Sequence, residues 1–188
     1  MMKSVIAQAL GLCVFGASLA VVTPAKADIW TLQNYDTGNC IGAAAGKTAP
    51  GTPLVDWPCD GTLSQNWNFT NYWTTILGPM DFRYVNGKPM FVQMCMGVAA
   101  SKKDDGTPVI LWDCNGKADQ IWYPYYVASQ NGNNCYIFFD FNSNTLLTDW
   151  DEVQGGKIAI EWGSTTDFRS DQIWCEVSPP GSGGGIIY

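Results

Sequence analysis

The 188 residues carry 17 acidic against 10 basic side chains, a net charge of −7, with 46% hydrophobic residues. That balance argues against nucleic acid and anionic lipid as partners. No histidine occurs anywhere in the chain, which removes Ser-His-Asp and Cys-His catalysis and imidazole-based zinc sites.

Residues 1–27 have the features of a secretion signal: Lys3 near the start, an apolar stretch from Val5 to Val22, and the small-x-small site Ala25-Lys26-Ala27. Cleavage there makes Asp28 the first residue and removes Cys13. The apolar stretch is near the minimum for a bilayer span and ends at a cleavage-like site, so membrane insertion is not expected. The protein is expected to be secreted or periplasmic. Residues 28–177 have the size of one domain. Residues 178–188, with Ser178-Pro179-Pro180-Gly181-Ser182 and three further glycines, read as a flexible tail.

Within the domain the pattern is almost wholly β, with short aromatic and β-branched runs separated by Asn-Gly and Asp-Gly turns. The first group of strands is Ile29–Leu32, Cys40-Ile41, Thr52–Trp57 and Gln65–Phe69. The second is Phe82–Val85, Met94–Met96, Thr107–Trp112 and Gln120–Trp122. The third is Tyr136–Phe141, Leu146–Thr148, Ile158–Trp162 and Gln172–Cys175. Each group ends on a Gln-x-Trp triplet, at Gln65, Gln120 and Gln172, so the chain is one unit written three times. Three such units share a core that none closes alone, and a three-fold barrel capped by hairpins satisfies the count.

The repeats also arrange the six remaining cysteines. Cys40 to Cys59 and Cys95 to Cys114 have the same spacing of 19, each second cysteine following a tryptophan by two positions. Equal spacing in equivalent places implies bridges within repeats one and two, leaving Cys135 to pair with Cys175. Metal ligation by these thiols is not expected, because no Cys-x-x-Cys pair and no histidine accompanies them. No metal or cofactor is implied.

Gly106-Thr107-Pro108-Val109-Ile110-Leu111-Trp112-Asp113-Cys114 followed by Gln120-Ile121-Trp122, and its counterpart from Gly51 to Trp67, resemble the repeats of ricin B-type lectins. The resemblance spans essentially the whole domain. It implies an all-β, disulfide-stapled β-trefoil of three four-stranded repeats, in which the motif tryptophans fill the core and the glutamines fix neighbouring backbone. It also implies that the protein is not an enzyme and that its partners are glycans or glycoconjugates.

A pyranose site needs a carboxylate for paired hydroxyls, an aromatic face for the C–H side of the ring and a further polar group. In ricin B-type lectins these resemble an aspartate two residues after the first repeat cysteine, an aromatic two before the second, and a polar residue just before Gln-x-Trp. The first copy offers Gly42, Trp57 and Ser64, and the second Gly97, Trp112 and Asp119. Both lack the carboxylate. Trp57, Trp112 and Asp119 therefore stand as weaker sugar positions, the tryptophans reading equally as packing beside the disulfides.

In the third copy, Leu147 or Thr148 replaces the first cysteine and Gly163 or its neighbour the second. Allowing a deletion of about two residues before Gly155-Gly156, the set Asp149, Ile160, Trp162, Asp171 and Gln172 most resembles the galactose site. Asp149 would accept from two hydroxyls, Trp162 would stack, and Asp171 with Gln172 would supply the second polar contact. The same acids also read as a solvated turn. The expected function is a secreted lectin for galactose-type sugars, acting through the third repeat. The alternative is a non-catalytic host-binding or scaffold subunit of a secreted toxin or other protein complex, for which the load of 9 Trp, 8 Tyr and 8 Phe argues.

Overall fold

A computed structural model of the chain describes residues 29–69, 75–151 and 154–180. The expected signal peptide, and the tail from residue 181 onward, lie outside the described residues. Repeat one supplies β1 (Thr31–Asn34), β2 (Cys40–Ala43), β3 (Leu54–Trp57) and β4 (Asn68–Phe69). Repeat two supplies β5 (Ile76–Val85), β6 (Lys88–Val98), β7 (Val109–Asp113) and β8 (Trp122–Gln130). Repeat three supplies β9 (Asn133–Asp140), β10 (Leu146–Asp149), β11 (Ile158–Glu161) and β12 (Trp174–Val177). The three groups of four strands expected from the sequence are present, and the fold is a β-trefoil.

The repeats are joined by contacts that recur cyclically. Isolated bridges link Pro53 to Ile110, Pro108 to Ala159 and Lys157 to Val55, so each repeat's cap hairpin is tied to the next and the third back to the first. The turn residues repeat the pattern: the Gly51 amide donates to the Leu111 carbonyl at 2.7 Å and the Gly106 amide to that of Ile160 at 2.9 Å, while the Gly155 amide reaches the Asp56 carbonyl. Strand β12 pairs with β1 from Thr31↔Val177 to Asn34↔Trp174, bringing the two ends of the domain together.

The core is built around the motif tryptophans. Trp67, Trp122 and Trp174 are fully buried among Leu32, Ile41, Met96, Leu111, Phe138 and Ile160. Each indole N–H donates to a carbonyl of its own repeat: Ile41 at 3.0 Å, Met96 at 3.1 Å and Leu147 at 3.0 Å. A buried indole without an acceptor would be costly, so this bond is what lets so large a polar aromatic sit at the centre.

The motif glutamines are not in strands, as the sequence suggested, but in 3-10 turns at Leu63–Gln65, Ala118–Gln120 and Ser170–Gln172. The turn frees the amide to satisfy backbone groups of the preceding loop. Gln65 donates to the Pro58 carbonyl at 2.9 Å and accepts from the Asp60 amide at 3.0 Å. Gln120 does the same with Asp113 and Asn115, both at 2.9 Å. All three expected disulfides are formed: Cys40–Cys59, Cys95–Cys114 and Cys135–Cys175.

The hairpins β5–β6 and β8–β9 run well beyond the short strands read from the sequence. Their extensions continue the ladder past the barrel to the turns at Asn86-Gly87 and Asn131-Gly132, where positive φ at both residues suits the tight two-residue hairpin.

Candidate sugar-binding sites

Strand register fixes which residues of the three repeats are equivalent. Cys40 lies opposite Trp57, Cys95 opposite Trp112, and Leu146 opposite Glu161. The indole bonds to Ile41, Met96 and Leu147 give the same alignment. Thr148 therefore shares the place of Gly42 and Gly97, and Glu161 shares that of Trp57 and Trp112.

This alignment corrects the third-repeat residues. Asp149 lies one position past the sugar-aspartate place, on the strand face that carries Ala43 and Val98, and it is fully buried in β10 instead of standing in an exposed turn. Ile160 is equivalent to Leu111 and belongs to the core. Trp162 follows the platform position by one residue and is 64% exposed, its amide donating to Asp105 Oδ1 at 2.9 Å. The residue replacing the first cysteine is Leu146, one before the pair suggested by the sequence; Gly163 is the counterpart of the second. These two replace the bridge by packing, since a Cβ on Gly163 would lie 2.3 Å from Leu146 Cδ1.

Asp171 and Gln172 are buried and already engaged. The Arg169 guanidinium donates from Nε and Nη2 to Asp171 at 3.1 and 2.8 Å, and from both terminal nitrogens to Glu161. These bonds, those to Glu161 first, hold the guanidinium far above its ordinary pKa and permanently charged. The Gln172 oxygen accepts from the Arg169 amide at 2.9 Å, while its nitrogen faces Thr148 Oγ1 and the Trp162 carbonyl, each at 3.4 Å. The third platform place is thus an Arg169–Glu161–Asp171 ion-pair cluster bordered by Trp162. Arg169 carries no signal in the sequence, and the separation from motif indole to carbonyl partner is 26 residues in the first two repeats but 27 in the third, so counting along the chain does not place Glu161 on the platform.

In the first two repeats the platform is aromatic. Trp57 and Trp112 are 44% and 45% exposed, and each ring edge lies against a turn of a neighbouring repeat, 3.7 Å from a Cβ built on Gly155 and on Gly51 respectively. On the strand paired with Trp112, Gly97 lies two residues along from Cys95, with the carbonyl of the partly buried Asp119 against it; in repeat one Gly42 and the Ser64 carbonyl take the same places. The two glycines lie against the motif glutamines. A Cβ at Gly42 would be 3.1 Å from Gln65 Cγ, and one at Gly97 3.0 Å from Gln120 Cγ and 3.2 Å from the Asp119 carbonyl.

Two other acids near these sites serve the fold. Asp56 takes the inward position held elsewhere by Leu111 and Ile160, accepting from Asn39 Nδ2 at 2.6 Å and Thr37 Oγ1 at 3.4 Å. Burial raises its pKa above the usual carboxylate value, against those two bonds. Asp113 is paired with Arg83. Among the described residues no group of three or more Cys, Asp or Glu is disposed to hold a metal ion.

The ricin-type β-trefoil lectin domain model matches residues 29–135, more than half the chain. The protein belongs to the ricin-type β-trefoil lectin family. Members of that family are sugar-binding, non-catalytic domains. No curated protein matches the sequence. Among similar solved structures is the ricin B-like lectin of Macrolepiota procera in complex with lactose, at 15% identity and TM-score 0.58, covering 81% of this chain and 96% of that one. The exo-β-1,3-galactanase of Clostridium thermocellum matches at 22% identity and TM-score 0.59, over 82% of this chain and 30% of its own. A mosquitocidal holotoxin matches at 14% identity and TM-score 0.57, over 80% of this chain and 17% of its own. At these identities the likeness concerns the trefoil alone. The lectin domain with its three disulfides is suited to an oxidising, non-cytoplasmic compartment.

Proposed function

We propose that this ricin-type lectin domain is secreted or periplasmic and binds galactose-type sugars on glycoconjugates, chiefly at the second repeat, with Trp112 as the stacking platform and Asp119 as the polar partner. The observation that carries the reading is the pair of half-exposed tryptophans, Trp57 and Trp112, at equivalent positions. A flat indole face open to solvent suits the C–H side of a pyranose. Gly97 lets the Gln120 side chain and the Asp119 backbone pack close against the strand, and Asp119 is the carboxylate next to the motif glutamine. The first repeat, with Ser64 in place of that carboxylate, is the weaker copy.

A second reading keeps the site in the third repeat, around Trp162 with Asp171 and Glu161. The high exposure of Trp162 beside the Arg169 cluster favours it. Isothermal titration with galactose, lactose and N-acetylgalactosamine at millimolar sugar separates the two. Trp112→Ala should abolish most of the heat and Trp162→Ala little of it; the reverse result transfers the site to the third repeat. An absence of binding by the native chain would leave the scaffold or host-binding subunit of a toxin or other complex, the setting suggested by the trefoil within the mosquitocidal holotoxin.

A further inference from the structure

The connection between the first two strands of repeat two is an insertion. In repeats one and three the register partners Gln33↔Cys40 and Phe139↔Leu146 are 7 residues apart, whereas Leu77↔Cys95 are 18 apart, an excess of 11. The barrel closes without such a segment in the other two repeats. The inserted residues form the outer part of the β5–β6 ribbon, which turns its aromatic residues outward and its Asp81 and Arg83 toward the body, against the usual order of apolar inside and polar outside.

Cross-strand partners share a face, so Asp81, Arg83, Val85, Lys88, Met90 and Val92 lie on one side and Met80, Phe82, Tyr84, Pro89, Phe91 and Gln93 on the other. The side of Asp81 and Arg83 is fastened to the body. Asp81 is buried and accepts from Thr48 Oγ1 at 2.8 Å, and Arg83 pairs with Asp113 at the end of β7. The apolar side faces water: Tyr84 is 71% and Phe91 64% exposed, and Phe82 packs on Phe91 with ring centroids 5.1 Å apart. The ion pair and the Thr48 bond hold this face outward, so it cannot fold back onto the barrel.

We propose that this face is a two-fold interface between copies of this chain. The exposed side chains amount to roughly 500 Å² of apolar surface, the size of the largest patch that an ordinary monomer shows. Two copies face to face would bury about 1,000 Å², the lower limit for a specific interface. The face itself carries no charge, so two acidic molecules meet there without bringing like charges into contact. Its tilted and edge-on aromatic side chains, Phe82 against Phe91 and Tyr84, project from a ribbon face that can pack on another as sheets do.

Strand addition along the edge is disfavoured. Val85 and Lys88 close the two-residue turn, so the next pair, Tyr84 and Pro89, points its amide positions outward, and Pro89 has no N–H to offer. Lipid is disfavoured as well, because the tip Asn86-Gly87-Lys88 is polar and the apolar residues lie back from it on one face. Pairing would double the number of sugar positions presented to a glycan surface and raise avidity without new contacts to the sugar.

Sedimentation equilibrium of the secreted chain tests the assignment. The expected result is a species of twice the monomer mass at high micromolar concentration that dissociates on dilution, and a halving of that mass in the Phe82→Ser, Phe91→Ser double variant. Hydrogen exchange at residues 80–92 should slow with concentration in the native chain, a readout that needs no variant. A native chain that stays monomeric, a dimer untouched by the substitutions, or exchange independent of concentration overturns the proposal. So does flotation of the monomer with phosphatidylcholine vesicles, which would assign the face to lipid. None of these readings depends on sugar, so they fail or succeed separately from the lectin assignment.

Discussion

Replacing Gly163 by alanine tests whether the third repeat exchanged a disulfide for a packed pair. The φ of Gly163 is not in the left-handed region, so backbone conformation does not oppose alanine, and a Gly→Ala change without a clash would stabilise by about 0.4–1 kcal/mol. The structure predicts the opposite sign. The new Cβ would stand 2.3 Å from Leu146 Cδ1 and 3.1 Å from its Cγ, with the Asp167 carbonyl at 3.4 Å. Leu146 is fully buried and packs with Ile137, Ile173 and the Cys135–Cys175 bridge, so it has little room to move. Overpacking of this kind costs about 1–3 kcal/mol. Leu146→Ala alone should cost about 2–5 kcal/mol through the cavity it leaves. In the double variant the alanine at 163 enters that cavity, so the sum of the single losses should exceed the double loss by about 1 kcal/mol or more. Urea unfolding with disulfides intact measures all four proteins. A stabilising Gly163→Ala, or strict additivity, would refute the equivalence of Leu146–Gly163 with Cys40–Cys59 and Cys95–Cys114.

Trp122→Ala should cost about 3–5 kcal/mol from lost burial, with more from the orphaned Met96 carbonyl, whereas the exposed Trp162→Ala should change stability by less than about 1 kcal/mol; comparable losses in urea titration would show that Trp162 is structural. Gly97→Asp restores the family's carboxylate beside Trp112 only if Gln120 yields, so galactose affinity should rise while the urea midpoint falls; unchanged binding by calorimetry would mean that the platform lacks more than the acid. Folded Asp56 and Asp140 have pKa values raised above 3.8, chiefly by burial. They therefore bind protons more tightly than in the unfolded chain, and their ionised forms destabilise the fold at neutral pH. That penalty disappears as pH falls through the raised values toward 3.8. Asp56→Asn, which keeps an acceptor for Asn39, should raise the urea midpoint at pH 7 and lose that advantage in acid; an equal difference at both pH values would contradict the burial argument.

The sequence by itself determined the trefoil. Gln-x-Trp and matched cysteine spacings recur because each repeat must place one indole at the shared core and one amide across its own loop, and such local requirements repeat in the chain as letters. The two intra-repeat disulfides followed from the same periodicity, and Cys135–Cys175 from the two cysteines then left over. The tertiary structure decided the sites. Where repeat three lost its cysteines, the sequence carried no mark to fix register, and in a strand a slip of one residue turns a side chain to the opposite face. That is why Asp149 and Ile160 read as ligands and lie inside, and why Glu161 holds the place assigned to Trp162. The reach of Arg169 to both Glu161 and Asp171 depends on two elements meeting in space. So does the outward turn of Phe82 and Phe91: alternation along β5 and β6 separates two faces, but only the contacts of Asp81 with Thr48 and Arg83 with Asp113 determine which face meets the body and which meets water.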